Sequence, residues 1–307
     1  MKQAIRGILA QLVSSLPMGV LTDKQFFKLY ESKGYHITPV HFYQPVPSTE
    51  ELPDELWEKP SELVGIDLNI PSQIELLESF QEFIQEFNQI PDASTKYSST
   101  LFFAGVDAHI LYSMIRKFQP KKIIEIGSGS STLLSITALN KVGEMTNQYG
   151  KVIAIEPYPQ AYLKDYLVGE HKLIQEKVED LPLSLFEDLE ENDILFIDSS
   201  HTVKIGNDVL YEFLEILPRL KKGVIIHIHD IFLPLPYPRE MVKERYMFWA
   251  EQYLLQAFLA FNNSYQVLWS GAALKFYQKE KLASHFPAVF AENPDFIPGS
   301  FWIKKCQ

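Results

Sequence analysis

Short apolar runs, most of them ending at a charged or polar residue, recur through the second two-thirds of the chain and restrict it to few folds. They are Lys122–Ile126, Val152–Ile155, Ile194–Ile197 and Val224–Ile228, with a weaker one at His171–Ile174. Stretches of helical periodicity separate them or lead in, such as Ala108–Phe118 with Leu111, Met114, Ile115 and Phe118 as its stripe. A strand apolar along its whole length is buried on both faces, which requires helices on both sides of a parallel sheet. The expectation is an α/β fold with a Rossmann-like, doubly wound, mostly parallel sheet. Tyr265–Ser270 and Ser300–Lys304 read as further strands, the C-terminal one antiparallel, and Ala272–Tyr277 as another strand or an extension.

The first hundred residues follow a different pattern, which predicts a helical N-terminal lobe over 1–104 and a Rossmann-like domain over 105–307. Lys2 and Arg6 before an apolar stretch hint at a leader, but Gln11, Ser14 and Ser15 interrupt it. Ile5, Ile8, Leu9, Leu12, Val13 and Leu16 fall at helical spacing instead, giving an amphipathic helix that packs against the body or a second copy of the chain. The prolines from Pro39 to Pro60 forbid a continuous helix there. They predict a long ordered loop with His41, Phe42, Tyr43 and Trp57 as anchors. Ser72–Phe87 reads as one helix with Ile74, Leu77, Phe80, Phe83 and Ile84 on one face.

Composition narrows the function. With 39 acidic and 28 basic residues the formal charge is -11, a surface that repels phosphate backbones and argues against nucleic acid as a partner. No uninterrupted apolar stretch is long enough for a membrane span. The lone cysteine, Cys306, allows no internal disulfide and no cysteine-held zinc, which fits a reducing, cytoplasmic setting.

The most informative stretch is Ile124-Glu125-Ile126-Gly127-Ser128-Gly129-Ser130-Ser131-Thr132. A strand enters a glycine loop and a helix begins near Ser131, so the backbone can approach a ligand and free helical N–H groups face it. Such a loop sits at the carboxyl edge of the sheet, where nucleotide-like cofactors bind. Glu125 lies at the end of this strand. Glu156, at the end of the next, is placed to accept two hydrogen bonds from ribose hydroxyls. Thr132 stands where a dinucleotide fingerprint has its third glycine, which disfavours a pyrophosphate-bearing cofactor.

At these residues the chain resembles the class I S-adenosylmethionine-dependent methyltransferases, in the bacterial small-molecule and sugar O-methyltransferase-like branch with Ile-Asp-Ser-Ser-His after the fourth strand. The resemblance runs from about residue 100 to the end. It implies that Glu125, Gly127 and Gly129 surround the methionine part of S-adenosyl-L-methionine, and that Glu156 holds its ribose. It also implies that Val178 and Glu179 flank the adenine. Ser131 stands in place of the family's third loop glycine.

Two further strand ends reach the same rim: Asp198-Ser199-Ser200-His201 after the fourth strand and His229-Asp230 after the fifth. His201, His229 and Asp230 are the catalytic candidates, a histidine near neutral pKa being able to take a proton from an acceptor hydroxyl. Asp198 orients cofactor or substrate. Alternatively, Asp198, His229 and Asp230 hold a divalent cation such as magnesium that acidifies the acceptor. For His201, helix capping is as good a reading as chemistry, and His227 reads as a core residue. Tyr237, Arg239, Tyr246 and Trp249, on or after a proline-stiffened loop, are candidate acceptor contacts.

The expected activity is methyl transfer to a hydroxyl of a small-molecule or sugar-like acceptor. A nicotinamide-dependent oxidoreductase on the same sheet, and a cofactor-binding partner subunit without chemistry, are the competing readings.

Overall fold

The computed structural model describes residues 2–90 and 103–307, which form two compact units, one ending at Leu56 and one running from Trp57 to Gln307. The sequence pattern changes near 105, whereas the compact units divide after Leu56. No helix among the described residues is long and apolar enough to cross a membrane.

The first unit contains helix α1 (Lys2–Ser14) and helix α2 (Lys24–Glu31). The Asp23 carboxylate starts α2 by accepting from the N–H groups of Gln25 at 2.8 Å and Phe26 at 3.1 Å. Ile8 and Leu12 of the amphipathic stripe are exposed and Val13 and Leu16 half-covered, while the Ile5 and Leu9 side chains lie outside the described ones. Of the expected loop anchors, Phe42 and Tyr43 stand largely in solvent, their rings meeting each other and His41. Trp57, in the second unit, does anchor. Its indole N–H donates to the Tyr237 carbonyl at 2.9 Å.

The second unit is built on a seven-stranded sheet of order β3-β2-β1-β4-β5-β7-β6. Strands β1 (Lys122–Ile126), β2 (Lys151–Ile155), β3 (Lys172–Ile174), β4 (Ile194–Ile197) and β5 (Ile225–Ile228) are parallel. Strand β7 (Phe301–Lys305) inserts antiparallel between β5 and β6 (Tyr265–Ser270). The expected Rossmann-like sheet with an antiparallel C-terminal strand is therefore present. Alternate residues of each strand feed two apolar layers. Ile123, Phe196, Ile225 and Trp302 face one layer; Ile124, Leu195, Ile226 and Ile303 face the other.

Two helical expectations are corrected. The segment 70–88 is two helices, α3 (Ile70–Glu78) and α4 (Gln81–Asn88), broken at Ser79–Phe80. The break turns Leu77, Phe80, Ile84 and Phe87 together into the first apolar layer, against α5 (Gly105–Phe118). Glu86 of α4 pairs with the buried Arg116 of α5 at 2.9 and 3.1 Å. The second correction concerns Gly271–Tyr277, which is a helix rather than a strand, because Ser270 caps it by accepting from the Ala273 N–H.

Candidate functional site

The order of the strands reverses between β1 and β4, so their carboxyl ends diverge and leave a crevice. Backbone hydrogen bonds continue past the strand ends and fix the rim. The N–H groups of Gly127, Asp198 and His229 donate to the carbonyls of Ile155, Ile126 and Ile197 at 3.0, 2.9 and 2.9 Å. A cavity of about 480 Å³ opens there, lined among others by Gly127, Glu156, Val178, Glu179 and Asp198. That volume lies within the ~300–1,000 Å³ usual for small-molecule sites.

The two loop glycines serve different ends. Gly127 has φ +80°, and a Cβ on it would lie 1.9 Å from the Asp198 carbonyl oxygen, so β1 and β4 could not come together with any other residue there. Gly129 is in extended backbone, and a Cβ on it would meet nothing within 4 Å. The fold does not need glycine at 129; the space beside it is open to a ligand. Helix α6 (Ser130–Thr146) starts immediately after, with the Thr132 hydroxyl accepting from the Gly129 N–H at 3.0 Å. Thr132 is thus a cap for the loop.

Glu156 stands half-buried at the end of β2. Its carboxylate accepts from the Tyr158 N–H at 2.8 Å and the Ser128 N–H at 3.4 Å, and it faces the cavity, the chemistry a vicinal diol calls for. Val178 and Glu179 form a tight turn on the opposite wall. Glu125 is placed differently from the expectation. It is fully buried on the α6 side, where the Ser131 hydroxyl donates to it at 2.6 Å and its other oxygen has no partner. Burial pushes its carboxyl up to about 8 against the opposing hydrogen bonds of Ser131 and Thr132. Glu125 and Ser131 thus support the loop from behind. The crevice, with an open cradle at Gly129 and a carboxylate at Glu156, fits a phosphate-free nucleoside cofactor.

The rim at β4 and β5 is a carboxylate cluster around one histidine. His201 is buried, with its Nε2 3.3 Å from Asp198 and 3.8 Å from Asp230, and its Nδ1 2.8 Å from Glu251. Glu251 opens helix α7 (Glu251–Leu259), and the His201 carbonyl accepts the Ala250 and Glu251 N–H groups at 3.0 and 3.2 Å. The helix that follows His201 in the chain is capped by Asn207 instead, whose side chain accepts from the Leu210 N–H. Both His201, φ +56°, and Asp230, φ +54°, sit in the left-handed region, backbone strain of a kind that collects at functional sites. Burial disfavours the charged imidazole, but hydrogen bonds to Asp198 and Glu251 outweigh it and push its pKa up to about 11. Asp198 is held below the usual carboxylate range. Burial acts against this, and the charges of His229 and His201 prevail. The Asp198 and Asp230 side chains remain 28% exposed, whereas those of His201 and Glu251 are 8% and 0% exposed.

His229 is buried, with its Nε2 3.8 Å from Asp230. Its side chain is 6% exposed, packed at 4.9 Å against Phe103 and beside Asp107, whose carboxylate accepts from the Gly299 and Ser300 N–H groups at 3.0 Å each. His227 is a core residue, stacked on Phe196 and 3.2 Å from the Ser300 hydroxyl. Among the acceptor candidates, Tyr237 is buried and its hydroxyl accepts from the Gln252 N–H at 3.1 Å. Arg239 and Tyr246 are exposed, with Arg239 beside the Trp57 ring. Only Trp249 reaches the cluster, 4.3 Å from the His201 ring.

The magnesium reading does not fit these residues. Among the described residues no three His, Cys, Asp or Glu side chains converge as a metal-holding group. Asp198 and Asp230 are instead bridged by the His201 ring, and His229 is buried behind them, its Nε2 3.8 Å from Asp230.

Three residues of the site were missed from sequence. Glu251 opens a helical stretch rich in apolar residues and carries no signal of its own, and neither does Asp107. Glu212 could have been found. It lies three residues after Val209 and four before Ile216, a charge on the apolar face, and it is buried with Ser199 donating to it at 3.0 Å.

A family model described as a methyltransferase domain matches residues 124–231. A protein of Archaeoglobus fulgidus described only as uncharacterized is 30% identical over 206 residues, spanning 62% of this chain and 89% of its own length. Solved structures with some likeness include the plantazolicin methyltransferase BpumL in complex with S-adenosylhomocysteine, 13% identical with a TM-score of 0.34 over 78% of this chain and 99% of that one. Another is an S-adenosylmethionine-dependent methyltransferase of Anabaena variabilis, 12% identical with a TM-score of 0.31 over 81% and 100%. Likeness of that degree carries no argument about this chain's site.

Proposed function

The chain belongs to the class I S-adenosylmethionine-dependent methyltransferases, and on that premise we propose that it methylates a hydroxyl of a small-molecule or sugar-like acceptor. The observation that carries this reading is the pair of open carboxylates, Asp198 and Asp230, at adjacent strand ends beside the cofactor crevice. S-Adenosylmethionine, when bound, supplies a methyl group already activated on a sulfonium. What remains for the protein is to orient the acceptor, exclude water and receive a proton.

Gly129 leaves room for the cofactor, Glu156 accepts from its ribose, and Val178 and Glu179 flank its base. Asp230 accepts the hydrogen bond of the acceptor hydroxyl and takes its proton as the oxygen is methylated, with Asp198 placing the reactants. His201 is unsuited to be the base, because both ring nitrogens face carboxylates, which only accept hydrogen bonds. His229 is unsuited because its ring is buried against Phe103 and behind Asp230. Trp249 is the acceptor contact retained; Tyr237 acts from behind it, their rings meeting edge to face at 6.1 Å.

Calorimetric titration with S-adenosylhomocysteine and NADH, followed by transfer of isotope-labelled methyl to a panel of sugars and phenols, tests this. Saturable binding of the first ligand and a labelled methyl ether are expected. Binding of NADH alone would revive the oxidoreductase alternative, and label on nitrogen or carbon would sink the hydroxyl assignment. Binding without transfer to any nucleophile would leave the non-catalytic partner subunit.

A further inference from the structure

The His201 ring has no solvent-facing nitrogen: each is aimed at a carboxylate from a different element. Nδ1 meets Glu251 of α7 at 2.8 Å, and Nε2 meets Asp198 beyond β4 at 3.3 Å with Asp230 beyond β5 at 3.8 Å. An ionised carboxylate offers only acceptors, so with both carboxyls ionised the two contacts take an N–H on each nitrogen and hence a positive ring; burial pushes Glu251 up, and the hydrogen bond and charge of His201 oppose that. The Trp249 ring lies 4.3 Å from it, an arrangement that favours a cation.

We propose that His201, oriented by Glu251, is a built-in cation that clamps Asp198 and Asp230 together and occupies the place where a divalent metal would otherwise bridge the two strand ends. The inference rests on the assignment of those two carboxylates to the acceptor. His201 and Glu251 are then positioning residues. They fix the separation of the open carboxylates and offset their mutual repulsion, and they give up no proton during transfer.

The surroundings explain why the charge stays in place. Glu212 acts electrostatically on this corner through Glu251, His229 lies beside Asp198 and Asp230, and Asp208 adds a further negative charge nearby. One free oxygen of Glu251 and one of Glu212 are buried without a partner. Burial and neighbouring carboxylates push both of these carboxyls up, and the charge on His201 opposes that at each of them. The left-handed backbone at His201 and Asp230 is the geometric counterpart, since it brings both side chains over the same point.

The test is nitrogen NMR of the histidine side chains at pH 8, with the His201 signals assigned by their loss in His201→Gln. Two protonated ring nitrogens on His201 are expected in the wild type. A neutral ring, with the proton on Glu251 instead, would overturn the proposal. In Glu251→Gln the amide still accepts from Nδ1 but carries no charge, so His201 is expected to titrate at lower pH than in the wild type. An unchanged titration would remove Glu251 from its role.

Manganese titration of the wild type gives an independent readout. Saturable binding abolished by Asp198→Asn would restore the metal site and defeat the clamp; its absence is the expected result. Failure of the wild type to bind S-adenosylhomocysteine would instead strike the functional reading and leave the NMR result standing, so the two failures are distinguishable.

Discussion

His201 and Glu251, fifty positions apart in the chain, meet through Nδ1 and Oε2 at 2.8 Å, while the His201 carbonyl receives the first N–H groups of the Glu251 helix. Side chain and backbone thus tie the loop after β4 to the start of α7 at one point. Histidine's raised pKa makes the bond pH-dependent. Stability from a base whose folded pKa is raised is fully present below its unfolded value near 6.5 and is lost as pH rises through about 11.

For His201→Gln, the expected cost is about 3–5 kcal/mol near neutral pH, the range for breaking a buried pair by removing one partner. The gap to the wild type should narrow as pH rises from about 6.5 toward 11. Urea unfolding at pH 6, 8 and 10 measures it, and a gap independent of pH would contradict the charge assigned to this ring.

Glu125→Gln should stabilise the protein. The carboxyl is raised to about 8, so its contribution is intact below the unfolded value of 4.5 and is lost as pH climbs through 8. Glutamine removes that loss and still accepts from Ser131. A gain of about 1–3 kcal/mol at pH 8, shrinking to nothing near pH 4.5, is expected. Chemical denaturation at pH 5 and 8 would expose a wrong sign.

Gly127→Ala and Gly129→Ala should fail in different ways. The first pushes a methyl into the Asp198 carbonyl at positive φ and should cost at least about 2 kcal/mol of stability. The second meets open space in ordinary backbone, so the melting temperature should hold while affinity for S-adenosylhomocysteine falls. Equal stability losses in the two variants would refute the distinction.

Glu156→Ala should weaken S-adenosylhomocysteine binding by about 1–3 kcal/mol, the cost of leaving the ribose hydroxyls without their partner. Calorimetry reads this directly. Full affinity in the variant would mean that the ribose is held elsewhere.

Much of this was legible in the sequence because it depends on neighbours in the chain. A strand apolar throughout must be sandwiched, and a glycine pair between strand and helix must turn tightly, so the sheet, Gly127 and the acid at 156 could be placed from local pattern. Ser270 before Gly271 was a cap signal that apolar content concealed, which is why a helix was read as a strand. His229 looked like a rim residue because strand alternation gives a side of the sheet but not what covers it. Phe103 and Asp107 cover it, more than a hundred residues upstream. The Glu251 contact has no local signature at all, since nothing in an amphipathic helix says which loop its first turn will meet.

Strand β7 lies between β5 and β6 although it follows both in the chain. As the protein is synthesised, β6 emerges with no strand to pair with, and β5 stands as a bare edge of apolar residues. Both wait for Phe301–Lys305, and Ser300 just before them is also one of the two amides that Asp107 holds. The nascent chain therefore passes through an interval with two open edges, and the step that closes them also sets the acceptor side of the crevice. A ribosome-stalled chain lacking these few residues should be sticky, chaperone-bound and unable to form that side of the site.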